Sequence, residues 1–170
     1  MNSVRIAKER IDRALNPRSV AVVGDKKASG YMWLRSMSTF QGDVYSVQID
    51  PNDIPGIEEM GVPNYSSLMD IPNDVDYVVI AVPRRFAGLV LNDCVSKGVA
   101  GVGMFTSGFA ETGTQEGLEA QETITTMARD ADLVLLGPNC MGLYNPALGV
   151  RFSRDLAAGQ GGPVSFVSQS

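Results

Sequence analysis

Histidine is absent from the 170-residue chain. That rules out a His-based catalytic triad, a phosphohistidine relay and a histidine-ligated metal site within it. The two cysteines, Cys94 and Cys140, have the spacing of neither a zinc site nor a disulfide framework, and no metal is expected. No apolar run approaches the ~20 residues needed to span a bilayer, and the opening MNSVRIAKER lacks the apolar centre of a secretory signal. The expectation is a cytoplasmic protein with no membrane partner. Basic residues are in deficit, 14 against 19 acidic, giving a net charge of −5. Nucleic acid and anionic membrane surfaces are therefore not expected as partners. An anionic ligand has to be held by local charge and backbone dipoles, against the overall field.

What the chain does have is 44% apolar residues and 18 glycines. That suits one domain with a core and many strand-to-helix turns. Residues 3–15 carry Val4, Ala7, Ile11 and Ala14/Leu15 at helical spacing, stopped by Pro17, so residues 1–16 read as a helix docked on the main body. SVAVVG (19–24) reads as a buried parallel strand ending in glycine. A helix is expected over 30–40 with Trp33, Leu34 and Met37 on one side, then a strand over 44–49. Asp50-Pro51-Asn52 and Pro55-Gly56 form a turn-rich connection, and residues 65–70 read as one helical turn closed by Pro72. DYVVIAV (76–82) is the clearest strand, stopped by Pro83. The helix over 84–97 is expected to face Phe86, Leu89, Val90 and Cys94 inward and to stop at Gly98. Strands over 99–105 and 133–136 flank a helix running to about Asp130, opened by a Thr112-x-x-Gln115 capping box. Residues 143–163 are loop-like. GGPVSFVSQS (161–170) reads as one more strand, either an edge of this sheet or the start of a following domain in a longer polypeptide.

Strands alternate with helices throughout residues 17–160. The pattern predicts an α/β fold, a single domain with a parallel sheet and helices on both faces. Such sheets bind ligands beyond the carboxyl ends of their strands, where the strand order reverses. The segments to watch are therefore 24–30, 50–52, 83–86, 106–111 and 138–142.

The first of these does not match the dinucleotide fingerprint. Gly24 is followed by Asp25, Lys26, Lys27, Ala28, Ser29 and Gly30, without the middle and third glycines of Gly-x-Gly-x-x-Gly. The loop still leads to a helix start, where free N–H groups and the dipole favour an anion. Ser29 adds a hydroxyl donor. Lys26 and Lys27 are either a solvated surface pair or two local charges for a phosphate. Asp50 stands where a NAD site places its ribose-binding acid, or else caps its own Asp-Pro-Asn turn. Arg84 and Arg85 oppose the dipole at a helix start, so an anionic partner nearby would explain them.

LNPRSVAVVG, DYVVIAVPRRF, GMFTSGFAETG, LLGPNCMGLYNP and VSFVSQS occur in that order. Over residues 15–170 the chain resembles the CoA-binding domain of the NDP-forming acyl-CoA synthetases, similar to the N-terminal domain of the succinyl-CoA synthetase alpha subunit. The resemblance implies a Rossmann-like domain holding coenzyme A. Gly24, Lys26, Lys27, Ser29 and Gly30 would contact it, and Val82, Pro83, Arg84, Arg85 and Phe86 would line the same cleft. Thr106, Ser107, Gly108, Pro138, Asn139 and Cys140 would lie toward the thioester end. It also implies flavodoxin-like and ATP-grasp partner domains or subunits, with the phosphohistidine in a part beyond Ser170. The domain would bind and orient CoA or acyl-CoA without completing a reaction alone. A stand-alone CoA sensor and an NAD-binding oxidoreductase domain are the alternatives. Two positions depart from the family. Asp25 replaces a small residue and brings negative charge beside the pyrophosphate, and Asp50-Pro51-Asn52 stands where a basic residue is common.

Cys140 has no histidine to activate it and reads as a small buried residue at a tight turn. Cys94 reads as a core residue. Glu111 is the one carboxylate placed to reach a reacting group, or else a surface acid. Met104, Phe105 and Phe109 read as core or cleft wall.

Overall fold

The computed structural model describes residues 6–168. Six strands run in chain order: β1 Ser19–Val23, β2 Asp43–Val47, β3 Asn64–Tyr65, β4 Tyr77–Ile80, β5 Gly101–Met104 and β6 Val134–Leu136. They form one fully parallel sheet in the order β3-β2-β1-β4-β5-β6. The two central strands are therefore β1 and β4, and the strand order reverses between them. Every residue of β1 and β4 is buried, as two-sided coverage requires.

Two apolar layers follow from the strand alternation. Ala21, Val23, Tyr45, Val78, Ile80 and Val102 face Ala87, Leu91 and Cys94 of α4 (Arg84–Lys97) and Ile124 and Ala128 of α5 (Gln115–Asp130). Val20, Val22, Tyr77 and Val79 face Trp33 and Leu34 of α2 (Met32–Ser36), Ile57 of α3 (Ile54–Glu59), and Val150. The α/β sheet with helices on both faces is as expected. Among the described residues no helix is long and apolar enough to cross a membrane.

Several local expectations are corrected. The first helix, α1, is Lys8–Leu15, and Val4 lies outside the described residues. It docks through buried Ala14 and through Arg13, which pairs with Asp76 and donates to Gly98 O (3.1 Å) and Val75 O (3.2 Å); Ile11 and Leu15 stay partly exposed. The helix over 30–40 breaks into α2 and a 3₁₀ turn at Met37–Thr39. The Ser36 hydroxyl bonds back to Met32 O (2.7 Å), a local alternative to continuing the helix. Part of 65–70 is strand: β3 has only two residues, too few to show a period, and the 3₁₀ turn Leu68–Asp70 is capped by Ser67.

The inward face of α4 is Ala87, Leu91 and Cys94, whereas Phe86 is 42% and Leu89 67% exposed. Cys94 is inward as expected and Val90 packs partly buried against the same core, so the helical period holds, and the buried face is centred on Ala87 and Leu91 rather than on Phe86 and Leu89. Thr114, not Thr112, caps α5, accepting from Gly117 N at 3.1 Å, while Thr112 bonds back to Phe109 O. GGPVSFVSQS contains no strand over its described residues 161–168, and Phe166 is 88% exposed. A strand exists only where a neighbouring backbone completes its ladder, and these residues make no backbone hydrogen bond to the sheet.

Candidate functional site

The turns after β1, β4, β5 and β6 meet at one edge of the sheet, beside the reversal of strand order. Gly24 is the pivot. Its φ is +88°, and a Cβ there would lie 2.6 Å from Val82 Cγ1 and 3.2 Å from the Ala81 carbonyl. Only glycine allows both that backbone and that approach. Thr106 donates its hydroxyl to Val82 O (2.7 Å), Asn139 N–H donates to Thr106 O (3.0 Å), and Cys140 N–H donates to Met104 O (3.2 Å). Val82, Thr106, Asn139 and Cys140 are thus laced into one rim. Trp33 of α2 packs edge-on against Phe105 at 5.1 Å between ring centres, which joins the first loop to the end of β5.

The loop after β1 is ordered from within. Asp25 is 1% exposed. Its Oδ1 accepts from Lys26 N–H and the Ser29 hydroxyl, both at 3.0 Å, and its Oδ2 accepts from Leu34 N–H at 2.8 Å. Burial raises its pKa above the ordinary aspartate value, and the bonds from Leu34, Ser29 and Lys26 pull the other way. The start of α2 is not free for a ligand anion, contrary to expectation. It holds the Asp25 carboxylate instead, because that side chain reaches the helix amides from within the same loop. The negative charge that would oppose a pyrophosphate is therefore turned inward. Ser29 Oγ lies within reach of Asp25 and of Lys26 O (2.7 Å), so its hydrogen is used internally. Lys26, Lys27 and Gly30 are exposed, Gly30 in the left-handed conformation.

Two residues unremarked in the sequence hold this loop from the end of β2 onward. Gln48 Nε2 donates to Asp25 O (2.7 Å), and Asp53 Oδ1 accepts from Lys27 N–H (2.9 Å). A glutamine one residue past an interior strand is the available signal. Asp50 accepts from Asn52 N–H (2.9 Å) and Asn52 Nδ2 (2.8 Å), which is the turn-cap reading.

The second and third turns share a polar clasp. Arg84 donates from Nη1 to Gly108 O (2.9 Å) and pairs with Glu116, so its anionic partner is internal. Arg85 is exposed and lies over the Phe86 ring at 4.7 Å; Pro83 is exposed and Val82 half-buried. Glu111 is a surface acid that pins the turn after β5, accepting from Gly108 N–H (2.5 Å) and Phe109 N–H (3.0 Å). Desolvation works to raise its pKa. The backbone bonds and the charge of Arg84 outweigh it and hold the carboxyl below the ordinary glutamate range. Ser107 is exposed. Pro138 follows a cis peptide bond, and Asn139 is exposed with φ +52°. Cys140 is half-buried rather than buried, its Sγ accepting from Gly142 N–H at 3.4 Å. Cys94 is fully buried, and burial pushes its thiol far up. Met104 and Phe109 are core, and Phe105 is partly exposed at the rim.

A family model described as a CoA binding domain matches residues 18–146. The alpha subunit of an ADP-forming acetate–CoA ligase II from Pyrococcus furiosus is 34% identical over 164 residues, which is 94% of this chain and 34% of that protein. An ADP-forming acetate–CoA ligase from Methanocaldococcus jannaschii is 32% identical, over 91% of this chain and 21% of the relative. The chain thus spans about a third or less of these curated relatives. Among solved structures, a Pyrococcus horikoshii protein superposes with a TM-score of 0.75 at 32% identity, over 85% of this chain and 33% of that one. An acetyl-coenzyme A synthetase from Candidatus Korarchaeum cryptofilum gives 0.73 at 34% identity, over 86% of this chain and 32% of that one. The match takes in all four strand-end turns, and the chain belongs to the CoA-binding domain family of the NDP-forming acyl-CoA synthetases.

Proposed function

We propose that the chain binds coenzyme A across the β1/β4 switch point, as the cofactor-holding part of an ADP-forming acyl-CoA synthetase. The observation that carries this reading is the joining of Gly24–Gly30 to Val82–Phe86 at the strand reversal, with two exposed lysines on an otherwise acidic protein. Coenzyme A carries a pyrophosphate and a ribose phosphate, and exposed lysines suit such diffuse charge better than a tight three-glycine turn. Lys26 and Lys27 face the phosphates, with Arg85 beside them. Val82, Pro83 and Phe86 form the wall, and Thr106–Gly108 and Pro138–Cys140 lie toward the thioester. In the whole enzyme, flavodoxin-like and ATP-grasp partners supply an acyl phosphate; the CoA thiol, losing its proton, attacks the acyl carbon, and the thioester forms as the carbon–oxygen bond to phosphate breaks and inorganic phosphate leaves. Binding of an NAD ribose by Asp50 has less support, since its Oδ1 already serves its own turn. Titration calorimetry with CoA and with NAD tests the reading. Micromolar CoA binding without NAD binding supports it, and the reverse result removes it.

A further inference from the structure

Buried charges close both ends of α2. At its start stands Asp25, bound to Leu34 N–H. At its end Arg151, 8% exposed, donates from Nε to Ser36 O (3.2 Å) and from Nη2 to Ser38 Oγ (3.3 Å). The Nη1 of Arg151 reaches Arg154 O (3.1 Å) and Leu156 O (3.0 Å). Among the described residues no carboxylate lies within ion-pair distance of Arg151. Its charge is met by carbonyl and hydroxyl oxygens alone. The two signs match the helix dipole, with the anion at the amino end and the cation at the carboxyl end. A helix of five residues cannot sustain itself in water. Its order is imposed by these two charges and by burial of Trp33 and Leu34.

The loop Lys26–Tyr31 hangs from the same carboxylate. Asp25 is hydrogen-bonded to the loop at Lys26 and Ser29 and to the helix at Leu34, so the loop and α2 cannot shift independently. We propose that Asp25 and Arg151 are positioning residues that set the coenzyme A loop in its binding shape before the ligand arrives. Neither touches the ligand. Arg151 is removed from the loop by the length of α2, about 7.5 Å, and acts through the helix. This inference rests on the proposed coenzyme A binding.

The test uses the 170-residue chain with Asp25→Asn, Arg151→Met and Arg151→Lys. Three readouts are needed: calorimetric CoA affinity, amide exchange at Lys26, Tyr31 and Leu34, and thermal midpoint. Asp25→Asn keeps the shape but offers an NH₂ group to at least one of the three donors. Arg151→Met keeps much of the apolar stem and removes every donor. Both are expected to weaken CoA about five- to tenfold. Both should speed exchange of the loop amides without ligand, and saturating CoA should restore the protection. Arg151→Lys should recover part of the affinity, and it keeps the role falsifiable even where Asp25→Asn does not fold. Unchanged affinity in folded Arg151→Met overturns the proposal, as does an affinity loss that merely tracks a lower thermal midpoint. If wild-type chain binds no CoA, the functional reading falls and takes this role with it. Faster loop exchange in the variants would then show that the clamp orders the loop for another purpose.

Discussion

Replacing Gly24 by alanine probes the contact that joins the turns after β1 and β4. Two costs arise at once. The φ of +88° lies in the region that L side chains avoid, which costs about 1–2 kcal/mol. The new Cβ would also stand 2.6 Å from Val82 Cγ1, and relieving such overpacking costs about 1–3 kcal/mol. Together Gly24→Ala is expected to destabilise by about 2–5 kcal/mol, within reach of the ordinary stability of a domain this size. The two parts can be separated. Val82→Ala removes the clashing methyl and leaves the backbone unchanged, so in that background Gly24→Ala should cost only about 1–2 kcal/mol. Urea unfolding of the four proteins, analysed as a double-mutant cycle, measures the coupling. A coupling of roughly 1 kcal/mol or more is expected. An equal cost of Gly24→Ala in both backgrounds would refute the claim that Val82 packs on the glycine, and a cost below about 0.5 kcal/mol would refute the strain as well.

Lys26→Ala/Lys27→Ala should weaken CoA by about 1–2 kcal/mol, roughly five- to thirtyfold at low salt and less at high salt. Dephospho-CoA should lose less, and equal losses for both ligands would reject a contact to the ribose phosphate. Asp76→Ala leaves Arg13 without its carboxylate and Arg18 N–H without its acceptor. It should cost about 3 kcal/mol, the low end for a buried pair because Arg13 is a third exposed. Denaturant midpoints at constant slope check this, and a loss under about 1 kcal/mol would show α1 docking to be independent of the pair. For Glu111 the folded pKa lies below the unfolded one. Its contribution is therefore fully present above the ordinary value of about 4.3 and is lost as the pH falls through the lowered folded value. Thermal midpoints across that acid range should fall less steeply in Glu111→Gln than in wild type, and parallel curves would exclude the cap.

Much of the proposed site's place in the fold was legible because strand ends depend on local signals. Apolar runs closed by Gly24, Pro83 and Gly137-Pro138 mark strand ends, and strand ends of a parallel sheet mark the ligand edge. The lysine pair and the GPNCMG turn were visible in the same way, and the GPNCMG turn with the upstream TSGFAE carried the family resemblance. The role of Asp25 was not legible. In sequence it is an acid beside two lysines, and its charge argued against a phosphate nearby. Only the folded path brings Leu34 N–H to its Oδ2 and Gln48 Nε2 to its carbonyl. Arg84 shows the same limit, because Glu116 reaches it from a helix 32 positions away.

By itself, then, the sequence determined the alternation of strands and helices and the two-sided core, and with them the strand ends at which we propose that the ligand binds. Periodicity and turn chemistry operate over a few residues and survive without knowledge of the rest. Tertiary structure alone decided the phase of α4 against the sheet, the shortness of α2 and the inward fate of Asp25. Each depends on which groups far along the chain come within hydrogen-bond or packing distance, and a buried charge settles wherever those donors are found.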